Sequence, residues 1–191
     1  VLSPFIDGYT IGSNPLKIGQ VNEIAKILGT LHRSTEDVPT HLMKQLPREN
    51  FDIGFCRSLY KFIKNDLVSK HDAVLRIVKP FAGYLLDNIK RMKYLAETLK
   101  KKPKRYVLCH GDLHYWNMIQ SKHIKLIDWE CANLAPPEQD LILHIAGQNA
   151  ELFLSVYRKY ITSYELDLDA LEFYFLKRRL ENVWEWIQDL R

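Results

Sequence analysis

"YVLCHGDLHYWNMIQSKHIKLIDWE", residues 106–130, is the stretch on which the reading of this chain turns. Apolar runs at 106–109, 118–120 and 124–127 read as three short strands, the last two joined by a tight Ser121-Lys122-His123 turn. Between the first two strands lies a polar loop with His110, Asp112, His114 and Asn117, and Asp128 ends the third strand. A hairpin can bring Asp112, Asn117 and Asp128 to one edge. Two oxygen-bearing side chains from adjacent strands, with a carboxylate nearby, suit a hard divalent ion. Mg²⁺ takes one or two protein carboxylates, keeps several waters and completes its octahedron with phosphate oxygens. Asp112 could then accept or orient a hydroxyl proton while charge on a transferring phosphoryl group is neutralised.

Outside this insert the apolar period is helical. Ile18, Val21, Ile24, Ala25, Leu28 and Leu31 predict a core-facing helix to about His32. Phe51, Phe55, Leu59, Phe62 and Ile63 form a second, aromatic stripe. Residues 71–101 carry a long helical pattern with a break or kink at Pro80, and Phe81, Leu85, Ile89, Met92, Leu95 and Leu99 keep one face. Beyond Pro136 and Pro137, helices are expected at 138–146, 150–163 and 169–190. The expected class is α+β, mostly helical, with a small β hairpin insert.

The chain of 191 residues is expected to form a single domain, 1–191. Its net charge is only +4, and the one dense basic run, "LKKKPKR" at 99–105, reads as a solvated helix end, so no nucleic-acid partner is expected. No apolar run of about 18 residues and no charged-then-apolar leader appear, which argues against a membrane partner and against secretion. Cys56, Cys109 and Cys131 are scattered without metal-type spacing, which suits a reducing, cytoplasmic setting. Cys109 and Cys131 are expected to be buried and inert, and His32 and His144 to be core histidines with satisfied ring nitrogens. The first residues, "VLSPFIDGYTIGSN", open inside an apolar, strand-like run and read as the middle of something longer.

The pattern H-x-D-x-x-x-x-N, followed after a hairpin by an aspartate, is the catalytic signature of protein kinases and their relatives. In this chain "HGDLHYWN" with "IDWE" resembles the version found in aminoglycoside phosphotransferases and related small-molecule kinases. "LSPFIDG" resembles the segment that joins the two lobes in that family, "LGTLHRS" its helix ending in Leu-His, and "LAPPEQDL" its loop after the metal site. "RYVLCHGDLH", "IDWE" and "LAPPEQDL" sit closest to the spectinomycin phosphotransferase branch. The resemblance implies the C-terminal, large lobe of a protein-kinase-like fold, with residues 1–12 as the interlobe connector and 106–130 as the catalytic and metal-binding insert. It implies Asp112 as catalytic base, Asn117 and Asp128 as Mg²⁺ ligands, and His110 and Asp140 as supports of the loop. Backbone groups of the first residues, Ser3, Pro4 and Phe5 among them, would meet the adenine of ATP, the co-substrate. The implied reaction moves the ATP γ-phosphate to a hydroxyl of an aminoglycoside or aminocyclitol, of the kind that underlies antibiotic resistance. Choline, homoserine or methylthioribose would use the same machinery, and a catalytically silent kinase-like binding module is the non-enzymatic alternative.

There are departures from the family pattern. Tyr115 and Trp116 stand where many relatives have small residues, and Glu130 takes the place of the glycine in the protein-kinase D-F-G triplet. His114, Trp116 and Glu130 are the candidates for contact with the acceptor. Glu181 and Glu185, on the last helix, read as a solvated face. A two-metal phosphoesterase site from His110, Asp112, His114 and Asp128 would need further Asn-His and His-x-His groups, which His32, His41, His71, His123 and His144 do not form. The chain has no Gly-rich covering loop and no preceding strand lysine, so the N-terminal lobe is expected to be missing and to be this chain's partner in the whole protein. The chain alone is therefore predicted to bind nucleotide weakly and to be all but inactive. Titration with ATP and Mg²⁺ checks this, and micromolar affinity with measurable turnover would refute it.

Overall fold

The computed structural model describes residues 5–65 and 73–190. In chain order the elements are β1 (Tyr9–Thr10), α1 (Ile18–Arg33), α2 (Thr40–Met43), α3 (Gly54–Asn65), α4 (Ala73–Val78), α5 (Ala82–Lys101), β2 (Val107–Cys109), β3 (Met118–Gln120), β4 (Ile124–Leu126), β5 (Asn133–Ala135), α6 (Glu138–Leu141), α7 (Ala150–Tyr157) and α8 (Leu168–Asp189). The chain is mostly helical, as expected. Its contacts divide it into two compact units, residues 1–49 with 104–166 and residues 50–103 with 167–191. No helix among the described residues is long and apolar enough to cross a membrane.

The first unit holds all the strands. β3 and β4 form the expected hairpin, with Met118 opposite Leu126 and Gln120 opposite Ile124, and β1 adds antiparallel to β3. β2 does not join this sheet; it pairs with β5 in a separate two-stranded ladder, Val107 opposite Ala135. Val21, Ile24, Ala25 and Leu28 of α1 are fully buried with Met118, Ile124, Phe153 and Tyr157, each large side chain worth roughly 1.5–3 kcal/mol of transfer free energy. Polar contacts fix the hairpin against the same helix. Glu23 of α1 accepts from the Ile124 amide at 2.9 Å, and Gln20 donates to Gln120 at 3.0 Å.

The second unit is helical. Phe51, Cys56, Leu59, Phe62 and Ile63 are buried, as are Leu85, Met92, Leu95 and Leu99 of α5 and Phe173, Leu176 and Leu180 of α8. Asp167 caps α8 by accepting from the amides of Asp169 and Ala170, the side-chain cap that an unpartnered first turn requires. The break expected at Pro80 is present as a 3-10 turn, Lys79–Phe81, between α4 and α5. Residues 71 and 72, where the long helical pattern was expected to begin, lie outside the described residues. Lys102 pairs with Asp167 at 2.9 Å within this unit. Arg105 pairs with Glu36 within the first, and these exposed ion pairs agree with the solvated reading of the basic run.

Three helices are shorter than their periodicity predicts. α3 starts at Gly54 because Phe51 has φ 56°, outside helical space, and Asp52 turns back to accept from the Gly54 amide. α6 stops at Leu141, and the Leu143 carbonyl receives the Tyr115 hydroxyl at 3.1 Å in place of a helical N–H. α7 stops at Tyr157, after which the amides of Lys159 and Tyr160 bond three residues back and Ser163 adopts φ 57°. α1 and α7 approach closely at Gly29, where a Cβ would stand 2.6 Å from the Tyr160 Cβ. Gly29→Ala should therefore lower stability by about 1–3 kcal/mol, the cost of overpacking, although alanine favours the helix itself. Urea denaturation of the two proteins checks this.

Candidate active site

The loop between β2 and β3 is shaped from beneath by one carboxylate. Asp140, 1% exposed, accepts the His110 amide at Oδ2 (2.8 Å) and the Gly111 amide at Oδ1 (3.0 Å). Two successive amides can face one anion only if the backbone turns through the left-handed region, and Gly111 has φ 87°. A Cβ at Gly111 would also run into the carbonyl oxygen of Cys131. The third contact to Asp140 is His32 Nε2, 3.2 Å from Oδ2, and His32 Nδ1 lies 2.7 Å from the Tyr157 hydroxyl. His32 is thus the satisfied core histidine that was expected. Its partners, 108 and 125 residues away, were not foreseen.

His110 is fully buried, and its Nε2 donates to the Ile127 carbonyl at 2.8 Å. The ring thereby links the start of the loop to the residue before Asp128, and the Trp129 ring lies against it at 4.6 Å. Asn117, also buried, donates from Nδ2 to the Asp112 carbonyl at 2.9 Å, which leaves its Oδ1 as the oxygen able to face a cation. The Asn117 carbonyl accepts the Ile127 amide at 3.0 Å, so the hairpin ladder runs directly up to Asp128. Asp128 is exposed and left-handed, φ 67° and ψ 62°. The Asp112 side chain is 37% exposed, and His114 Nε2 lies 3.6 Å from its Oδ2. The His110 ring and the Asn117 carbonyl thus tie this loop to Ile127, the residue before Asp128, and Asp112 and Asp128 both act on the Cys131 thiol. Trp116 and Glu130 are exposed on the same segments, and the Trp116 ring lies over Gly12. Phe5 is almost fully exposed, and Ser3 and Pro4 lie outside the described residues.

Cys131 corrects the expectation of a buried thiol: it is exposed, whereas Cys109 is buried. Its thiol is pushed up by partial desolvation and then by the carboxylates of Asp112, Glu130 and Asp128. Three acidic groups therefore project negative potential onto one place, the condition a bound cation would relieve. His32, Cys109 and Asp140 also offer three buried ligand atoms within 4.8 Å of one another. That group is better read as a hydrogen-bonded cluster. The Asp140 oxygens are taken by N–H donors, and burial holds the Cys109 thiol far above its ordinary range.

A model of the phosphotransferase enzyme family (APH) matches residues 15–174. The chain belongs to this family. A curated relative, protein StrN of Streptomyces griseus, is 28% identical over 153 residues, 73% of this chain and 46% of StrN. Spectinomycin phosphotransferase APH(9)-Ia, solved with ADP and spectinomycin, is 26% identical with a TM-score of 0.69, covering 98% of this chain and 60% of that one. Choline kinase LicA of Streptococcus pneumoniae shares the kinase-like fold at a TM-score of 0.62 and 20% identity, covering 95% of this chain and 60% of LicA. The chain thus spans about half to three-fifths of the length of these relatives.

His144 departs from its expected role. It is buried, stacked on Phe153 (ring centroids 5.0 Å, 8° between planes) and 5.6 Å from the Tyr115 ring, and neither ring nitrogen has a hydrogen-bond partner among the described residues. The aromatic slot between the loop and α7 offers it faces rather than acceptors. Burial lowers its pKa from the ordinary 6.5 to about 4, against a smaller opposing pull from Asp140. Between those two values the unfolded chain binds a proton that the folded chain does not. Stability is therefore expected to fall as pH drops from about 6.5 to about 4, by on the order of 3 kcal/mol in total. His144→Phe, which keeps the stack and cannot titrate, should remove that part of the slope. Chemical denaturation of both proteins across this window checks it.

Proposed function

We propose that this chain supplies the catalytic base and the cation ligands of an ATP-dependent small-molecule O-phosphotransferase, with an aminocyclitol or aminoglycoside of the spectinomycin type as acceptor. The observation that bears most directly on the reaction is the buried Asp140 carboxylate, which fixes the loop that carries Asp112 beside Asn117 and the strand end at Asp128. Family membership supports the reaction class. The acceptor class rests on the likeness to the spectinomycin enzyme and on the negative potential around Asp112, Asp128 and Glu130, which suits a cationic amine.

In this reading Asp112 accepts or orients the proton of the attacking hydroxyl. Asn117 Oδ1 and the Asp128 carboxylate fit Mg²⁺, since both are hard oxygen donors and a small set that leaves room for water and phosphate. Magnesium, when bound, would neutralise charge on the nucleotide phosphates. His110 and Asp140 keep the loop from relaxing. His114, beside Asp112, and the exposed Trp116 and Glu130 form the side from which the acceptor approaches. On this reading residues 1–12 would serve as the connector to a nucleotide-covering lobe, with Ser3, Pro4 and Phe5 meeting the adenine.

The test is an ADP-release assay on the whole protein, with spectinomycin, other aminoglycosides, choline, homoserine and methylthioribose offered in parallel. Spectinomycin-type acceptors should give the highest kcat/KM. Turnover confined to choline or another simple metabolite would overturn the acceptor assignment, and release with none of them would remove the reaction. Asp112→Asn should lower kcat by at least about a hundredfold while Mg-ATP still binds. Asp128→Ala should weaken Mg-ATP binding itself, as isothermal calorimetry would read.

A further inference from the structure

We infer that Tyr157 is a positioning residue for phosphoryl transfer: its hydroxyl holds the His32 ring in the orientation and tautomer that secure Asp140, and through Asp140 the loop bearing Asp112. The inference rests on the phosphotransferase reading proposed above. A line of buried groups runs from the end of α7 through α1 and α6 to the loop. The Tyr157 hydroxyl lies 2.7 Å from His32 Nδ1, His32 Nε2 lies 3.2 Å from Asp140 Oδ2, and Asp140 receives the amides of His110 and Gly111. Tyr157 and His32 are both 0% exposed and Asp140 is 1% exposed, so all three groups lie away from the solvent-accessible surface.

The protons along this line follow from the partners. A carboxylate only accepts, so His32 Nε2 must carry a proton towards Asp140. Burial first, and then the neighbouring Cys109, Glu138 and Asp140, hold the Tyr157 phenol far above its ordinary range, so it keeps its proton. A buried hydroxyl proton needs an acceptor, and His32 Nδ1 is the acceptor it meets. We place a proton on His32 at Nε2, with its Nδ1 lone pair accepting from Tyr157. The arrangement is that of a histidine whose far nitrogen decides what its near nitrogen presents.

Tyr157 also sits tightly. Its ring lies edge-on to Tyr164 at 5.1 Å and parallel to Phe153 at 6.1 Å, so the hydroxyl cannot swing away from His32 without disturbing two neighbours. If the hydroxyl is removed, the ring keeps its packing but His32 loses one of its two anchors. The imidazole can then swivel or change tautomer, and a lone pair turned towards Asp140 would repel it. The loop's two amide bonds would lose their fixed acceptor, and loss of such an outer partner typically costs about tenfold to a hundredfold in activity.

The experiment is Tyr157→Phe in the whole protein, alone and combined with His32→Gln, whose amide presents an N–H to Asp140 without needing Tyr157. Tyr157→Phe alone should lower kcat about tenfold with KM for Mg-ATP little changed. In the His32→Gln background the same change should have almost no further effect, because the two residues act as one unit. A residue that served only packing would give equal drops in both backgrounds. Nitrogen-15 NMR of the ring, assigned by its loss in His32→Gln, should show parent His32 protonated at Nε2 with a hydrogen-bonded Nδ1, and Tyr157→Phe should lose the latter signature. A parent His32 protonated at Nδ1, a Tyr157→Phe spectrum unchanged at Nδ1, a kcat close to the parent's, or equal drops in both backgrounds overturns the inference. The NMR signature is read without substrate. Its presence in a protein that turns over no acceptor would count against the phosphotransferase reading and leave the Tyr157–His32 assignment standing.

Discussion

A carboxylate buried to 1% exposure is the constraint around which the first unit is organised. An isolated ionised group in such a place would cost many kcal/mol, and the cost is offset only if its lone pairs are met by donors of good geometry. Asp140 meets three: two consecutive backbone amides and one imidazole N–H. Those donors come from α1 and from the loop after β2, while the acceptor sits on α6. Satisfying one side chain therefore fixes three segments that are remote in sequence. The left-handed Gly111 is a consequence of the same demand, since no other backbone path turns both amides towards one anion so close to the Cys131 carbonyl.

The loop above Asp140 is over-determined. It is held at its start by Asp140, in its middle by the Asn117 amide on the Asp112 carbonyl, and across to β4 by the His110 ring on Ile127. From the other side β1 pairs with β3, and the Gly12 amide reaches the Tyr115 carbonyl at 3.1 Å. A group whose neighbours are all tethered loses little orientation when substrate arrives, and such preorganisation is the main means by which positioned charges accelerate a reaction.

The periodic elements were legible in the sequence and the non-local ones were not. α1, α5 and the β3–β4 hairpin follow from spacing and from a turn, both of which are local. β1 has two residues and β5 three, too few to show an alternation, and each exists only because its partner strand lies alongside. The ends of α6 and α7 were overestimated because periodicity continues past the point where tertiary bonds, such as Tyr115 on Leu143, take over the carbonyls. At the site, residue types and spacing singled out Asp112, Asn117 and Asp128, and the hairpin that carries the last two is local in sequence. His32 and His144 looked alike, each a histidine on an apolar helix. Only the three-dimensional surroundings separate them: one faces a hydroxyl and a carboxylate, the other two aromatic faces.

Net charge gives no hint of the field that matters here. The chain is positive overall, yet Asp112, Asp128 and Glu130 act together on the Cys131 thiol. Lysines and arginines far along the surface are screened from this point within about a Debye length of 8–10 Å, whereas the three carboxylates lie inside it. On the reading proposed above, that local potential would suit a divalent ion and a cationic acceptor, and it bears on the site more closely than the net charge of the whole chain.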